Sequence, residues 1–181
     1  VYSLSGQALH SANVDAGWRT QLNGEMGQLL GSWDGRGSHS RVEYDALVRP
    51  SAYFEQPAGA DERCRERLHY AGHSLEDRTH NRCGQLTRHD DSAGSQFTPS
   101  FSLLGQAREQ TRQFLQLLTA PNWPDAVLEE KAYRTTWQYD ALGSEVHQID
   151  AVGNLQSWRR NVAGQLVESS LAPPGLSPRI L

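Results

Sequence analysis

Tyr139-Asp140-Ala141-Leu142-Gly143, Ile149-Asp150-Ala151-Val152-Gly153 and Arg160-Asn161-Val162-Ala163-Gly164 carry one turn signal three times, with the Asp or Asn ten or eleven residues apart. A side-chain oxygen at that polar position can accept a hydrogen bond from a backbone N–H two residues on, which closes a tight turn. Gly three residues later adopts positive φ without steric cost, so a type I turn can end in a bulge. About six residues then remain for a strand before the next turn, close to the usual strand length. Self-similarity at a fixed period points to one small unit stacked on itself. Such a chain reads as a wall or surface before it reads as a catalyst.

Working outward, the earlier copies vary. Tyr2-Ser3-Leu4-Ser5-Gly6 has Ser in the acidic position, Leu22-Asn23-Gly24-Glu25-Met26-Gly27 is stretched, and Trp33-Asp34-Gly35-Arg36-Gly37 is complete. Tyr44-Asp45-Ala46-Leu47-Val48 has lost its Gly. After a gap come His80-Asn81-Arg82-Cys83-Gly84, Asp90-Asp91-Ser92-Ala93-Gly94 and Phe101-Ser102-Leu103-Leu104-Gly105. The residue ahead of the polar one is often apolar (Tyr2, Leu22, Trp33, Tyr44, Phe101, Tyr139, Ile149), and such anchors would stack in rows across neighbouring hairpins. Strict alternation is missing, since Leu155 and Trp158 fall on opposite strand faces. Strand is therefore assigned from turn chemistry more than from period-two patterning.

Two stretches break the rhythm. Pro57 to Arg67, rich in Gly and charge, reads as a long hairpin loop. Ala107 to Leu118 has helix-forming composition with Phe114, Leu117 and Leu118 on one side, and Pro121 and Pro124 stop it. The expected organisation is thus a β-strip over 1–106, an irregular insert with a short helix over 107–134, more strip over 135–171 and a disordered tail over 172–181.

Composition agrees with a thin core. Apolar residues make up 37% of the 181, and the 16 Gly bring the total only near the low edge of the globular range. A net charge of −4 gives no electrostatic case for nucleic acid or an anionic membrane. No apolar run is long enough to span a bilayer, so no membrane insertion by this segment is expected. The chain opens at Val1 without Met or a charged-then-apolar leader, so no signal peptide is visible, and it reads as a fragment. Two cysteines, Cys64 and Cys83, are too few for a disulfide framework and read as free thiols.

The Tyr139-Asp140 and Ile149-Asp150 copies resemble the YD-repeat signature of Rhs proteins. The order of motifs narrows the resemblance. Gly6-Gln7-Ala8-Leu9, Val14-Asp15-Ala16-Gly17, Tyr70-Ala71-Gly72, Asn81-Arg82-Cys83-Gly84 and Asp91-Ser92-Ala93-Gly94 are similar to the amino-terminal half of the C component of bacterial Tc insecticidal toxin complexes. So are Ala120-Pro121-Asn122-Trp123, Gln148-Ile149-Asp150 and Ala163-Gly164-Gln165-Leu166. The resemblance implies an all-β fold, a curved strip of antiparallel hairpins forming part of a hollow shell. It implies as partners the remainder of the Rhs shell, a B component (TcB-like) and an enclosed cytotoxic polypeptide, in a secreted, extracellular complex. The Rhs-core autoprotease signature and the toxin beyond it have no counterpart here, so cleavage and toxicity attach to no residue of this chain.

Sharper chemistry finds little support. Cys64, His69, His73, His80, Cys83 and His89 include good zinc ligand types, but Gly72 interrupts the one helical spacing and no Cys-x-x-Cys occurs. Asp90 and Asp91 could split their pKa values as an acid–base pair, yet neighbours on a strand point to opposite faces. No Gly-x-Ser-x-Gly elbow or phosphate loop is present. Trp18, Trp33, Trp123, Trp137 and Trp158 could line a carbohydrate-stacking surface, against their reading as anchors of a thin sheet. The expectation is a structural shell segment without catalytic residues, cofactor or metal. Asp34, Asp45, Asp91, Asp140, Asp150 and Asn161 form its turns with Gly37, Gly94, Gly143, Gly153 and Gly164. A carbohydrate- or cell-surface-binding module is the alternative, and an enzyme ranks third.

Overall fold

The computed structural model describes residues 1–181. Fourteen strands pair in sequence order in a single sheet, as the all-β expectation required. They are β1 (His10–Asn13), β2 (Gly17–Asn23), β3 (Leu29–Asp34), β4 (His39–Tyr44), β5 (Pro50–Gln56), β6 (Arg63–Tyr70) and β7 (Leu86–Asp91). Then follow β8 (Gly94–Phe101), β9 (Ala107–Leu115), β10 (Leu128–Tyr139), β11 (Glu145–Ile149), β12 (Leu155–Arg160), β13 (Leu166–Ala172) and β14 (Arg179–Ile180). One short helix, α1 (Leu75–Thr79), interrupts the series between β6 and β7.

One turn geometry recurs at Ser3, Gly24, Asp34, Asp45, Ser102, Asp140, Asp150 and Asn161. The N–H of each bonds the carbonyl four residues on, and its own carbonyl accepts from the N–H three residues on. Beside several of these turns the register slips by one, at Leu22/Asn23, Glu43/Tyr44, Gln138/Tyr139 and Arg159/Arg160. This is the bulge expected after a type I turn. The copy at Asp45 closes without Gly: Val48 takes φ 59° in its place.

Several expectations are corrected. In the stretched copy the turn starts at Gly24, not Asn23, and Gln28 supplies the missing acceptor: its Oε1 receives the Met26 N–H at 3.0 Å. Asp91 and Gly94 do not bound a turn of this type, because β7 ends at Asp91, β8 begins at Gly94, and only Ser92 and Ala93 connect them. Asn81 sits in the left-handed region (φ 53°) at the exit of α1. The bend there is closed instead by Gln85 N–H donating to the Arg82 carbonyl.

The helix lies elsewhere than expected. Ala107–Leu115 is strand β9, because β8 and β10 pair along both its edges and override its helical composition. Of the insert expected over 107–134, only 116–127 is irregular, since 128–134 belong to β10. α1 begins at Ser74 with a reciprocal capping box: Ser74 Oγ accepts from Asp77 N–H, and the Asp77 carboxylate accepts from Ser74 N–H. Residues 57–62 are loop, whereas 63–67 belong to β6. The tail is ordered too: Leu176 N–H bonds the Pro173 carbonyl, and β14 pairs with Ser170 and Leu171 of β13.

The chain divides into two compact units, one of Val1–Leu68, Asp90–Ser92 and Leu117–Val127, the other of His69–His89, Ala93–Gln116 and Leu128–Leu181. In the first, Ala52, Cys64, Asp90 and Trp123 are buried; in the second, Asp77, Ser95, Thr98, Phe101 and Leu115. Neither builds a conventional apolar core. Stability rests mainly on the backbone ladder and half-buried rows on both sheet faces, which explains why no clean alternation is visible in the sequence.

Candidate functional site

The repeated turn is a small acceptor device. Asp140 Oδ1 receives the N–H groups of Leu142 and Ser144, at 2.9 and 2.8 Å. Asp150 Oδ1 receives three, from Val152, Gly153 and Asn154, while its Oδ2 takes the Asn154 amide at 2.7 Å. The Asn154 side-chain amide and then its backbone N–H hold the Asp150 carboxyl below its ordinary pKa. At Asp45 the Arg49 backbone and guanidinium act in the same direction. Ser102 and Asn161 reproduce the pattern without charge.

The tyrosine ahead of the Asp has its own task. Tyr44 OH donates to the Leu29 carbonyl at 2.7 Å, and Tyr139 OH donates to the Ala107 carbonyl at 2.8 Å. Each ring therefore ties its turn to the start of the preceding strand. Burial pushes both phenols up in pKa. A Tyr–Asp pair thus fastens a turn at two points, which accounts for their adjacency.

In the first unit, register aligns His10, Thr20, Trp33, His39 and Gln56 side by side across β1 to β5. His10 Nδ1 meets Thr20 Oγ1 at 2.9 Å. The Trp33 and His39 rings stack at 4.8 Å and 12°, and His10 lies against Trp18 at 6.3 Å. Gly31 adjoins the stack: a Cβ there would make ordinary van der Waals contact, 3.4 Å from Trp33 Cη2 and 3.5 Å from His39 Nε2. Trp18 and Trp33 stay 43% and 39% exposed, and Trp33, His10 and His39 line a concavity of about 580 Å³ together with Arg19, Gln21 and Glu55. Further along that face, Arg41 lies 3.6 Å over the Phe54 ring and bonds Glu62 and Glu43. This row depends on pairing register, so sequence spacing alone did not reveal it.

In the second unit, Trp137 pairs across from Gln148, and Trp158 from Ser169. Phe114 meets Tyr133 edge-on at 5.3 Å. The other face carries Thr136, Ile149, Leu155 and Ala172, followed by Gln138, His147, Ser157 and Ser170. Leu155 and Trp158 do lie on opposite faces, and both are half-buried.

The residues weighed as metal ligands are dispersed. Cys64 lies in the first unit, whereas His69, His73, His80, Cys83 and His89 lie in the second. No group of three or more His, Cys, Asp or Glu side chains is placed to hold an ion. Both cysteines are free thiols, Cys64 buried and Cys83 exposed. Asp90 is 1% exposed next to half-buried Asp91, so the adjacent carboxylates occupy different environments.

Consecutive hairpins closed by Asp, Asn or Ser turns, some fastened by a Tyr hydroxyl, form a sheet that resembles those of YD/Rhs-repeat proteins. The similarity found by comparison is to Tc toxin components. The chain is 30% identical over 189 residues to the toxin subunit YenC1 of Yersinia entomophaga, covering 99% of this chain and 19% of that protein. Its identity to YenC2 of the same organism is 28% over 204 residues, covering 98% and 21%. It therefore spans about a fifth of the length of these relatives. Among solved structures, the crystal structure of TcdB2-TccC3 matches with a TM-score of 0.92 and 31% identity, over 98% of this chain and 9% of the other. A Tc holotoxin pore of Photorhabdus luminescens matches with the same score, identity and coverage. No family model matches. The chain is thus similar along nearly its whole length to part of TccC-like Rhs/YD-repeat toxin subunits, as its motif order implied.

Proposed function

We propose that this chain is a structural segment of the Rhs-repeat shell of a Tc-type toxin complex, one that encloses a cytotoxic polypeptide and performs no catalysis itself. Its partners are the rest of that shell and a B component, in an extracellular complex. The observation that carries this reading is the match to the TcdB2-TccC3 structure at a TM-score of 0.92 over 98% of the chain. The fold offers supporting logic. Hairpins in sequence order extend a surface indefinitely, and half-buried rows on both faces suit a wall wetted on both sides. The outermost strands, β1 and β14, present edges that neighbouring strands of a larger sheet would cover.

A chimera tests it. These residues replace the matching stretch of a TccC-type subunit, which is then co-expressed with its B component. The expected product is a closed particle by electron microscopy, with cargo resistant to added protease. An assembled particle whose cargo is digested, or no particle at all, refutes the reading.

One observation favours the carbohydrate-binding alternative: exposed Trp33 lines the concavity with His10 and His39, and exposed Trp18 lies against His10. Glycan-array binding together with quenching of tryptophan fluorescence, both lost in Trp33→Ala, would select that alternative. A silent array leaves the wall.

A further inference from the structure

Residues 116–127 leave β9 and return as β10, yet Leu117–Val127 packs within the unit formed by Val1–Leu68 and Asp90–Ser92. The rest of that unit's sheet is built from local hairpins. The loop brings Asn122 to Cys64, 58 positions away in sequence. Cys64 N–H donates to Asn122 Oδ1 at 2.8 Å, and Trp123 N–H donates to the Cys64 carbonyl at 3.0 Å. Both backbone groups of Cys64 are thereby satisfied by a loop instead of a strand. The Trp123 indole N–H reaches the Asp91 carbonyl at 3.2 Å. Trp123 and Cys64 are each 3% exposed.

The attachment is concentrated on Pro121, Asn122 and Trp123, with Pro121 and Trp123 buried. On either side the loop is solvated, with Leu117, Leu118 and Val127 all exposed. Past its far end the β9–β10 ladder is irregular, slipping between Leu128 and Ala132. One deep anchor flanked by weakly held chain is the arrangement of an element that opens on its own, at less cost than global unfolding.

We infer that residues 116–127 form a clasp that docks on β6 as one piece, opens independently of the sheet, and when docked shields the Cys64 thiol. This holds whether or not the chain is a shell wall. Burial holds the Cys64 thiol above its ordinary pKa, which keeps it inert while the clasp is shut.

The test uses the whole chain carrying Cys83→Ser, so that Cys64 is the single reporter for a thiol-labelling reagent. Labelling is followed against urea alongside far-ultraviolet circular dichroism. The expected result at low urea is slow labelling with little urea dependence, faster than the unfolding rate from dichroism. Trp123→Ala should raise the labelling rate on the order of a hundredfold or more with the sheet signal kept. Asn122→Ala, the milder variant should Trp123→Ala fail to fold, should raise it about tenfold. Labelling that tracks global unfolding at every urea concentration overturns the clasp, and so does labelling as fast as an unstructured peptide.

Discussion

The stretch from Leu128 to the end and the middle of the chain, Ala52 to Trp123, are built on different principles. After Trp123 no side chain is fully buried, and the hairpins are closed by Asp140, Asp150 and Asn161 within five residues each. Every buried side chain, from Ala52 and Cys64 through Asp77, Asp90, Ser95, Thr98, Phe101 and Leu115 to Trp123, falls in the middle. There the helix excursion and the clasp join strands alongside one regular turn, at Ser102. The ladder is specified locally, residue by residue, whereas the middle is specified by contacts between distant positions. Local specification makes single substitutions cheap; packed specification makes them expensive.

The sharpest contrast sets two glycines against each other. Gly94 has φ 142°, and a Cβ there would lie 2.0 Å from the Gln113 carbonyl oxygen. Gly94→Ala should therefore cost about 4 kcal/mol or more, or prevent folding, in urea denaturation. Gly164 has φ 79° with open space around it, so Gly164→Ala should cost only about 1 kcal/mol. Equal costs would erase the distinction between the regions.

Within the ladder, Asp150→Ala removes an acceptor of three backbone N–H groups and should cost about 1 kcal/mol at neutral pH. Because the folded carboxyl sits below its ordinary value of 3.8, this contribution is present above that value. It is lost as pH falls through the lower folded value, so wild type and variant should converge in strong acid. At Asp45 the copy without Gly offers the reverse effect. Val48 bears a β-branched side chain at φ 59°, and Val48→Gly should stabilise by about 1 kcal/mol, read as a higher urea midpoint.

The smallest effect concerns Glu145. Burial raises its pKa above the ordinary 4.5, against the pull of Arg160, and its Oε1 is buried without a hydrogen-bond partner. A raised carboxyl pKa favours the protonated folded form, so the penalty is absent below 4.5 and grows as pH rises through the folded value. Glu145→Gln should gain less than about 1 kcal/mol at neutral pH and nothing in acid. A loss at neutral pH would mean that Arg160 holds the carboxylate more firmly than burial disfavours it.

The legible part of the fold was the part written locally. Asp34, Asp45, Ser102, Asp140, Asp150 and Asn161 all close the turns their spacing announces, because a side-chain oxygen and a nearby N–H need no distant help. Ala107–Leu115 misleads because helix-forming composition yields to strand partners on both edges. α1 did leave a trace, the Ser74-Leu75-Glu76-Asp77 capping signal, but its five residues are too few for any periodicity. Of the candidate site, the Trp residues could be named but not placed. His10, Thr20, Trp33, His39 and Gln56 are neighbours only because four successive registers bring them into line. Gln28 standing in for an Asp was equally hidden, since it acts from the opposite side of its turn.

Sequence-ordered pairing also has a mechanical consequence. Pulled by its first and last strands in an optical trap, this ribbon would yield like a zipper, one hairpin after another, at low force through β14 to β10. Tension should climb abruptly only once peeling reaches the knot around Trp123.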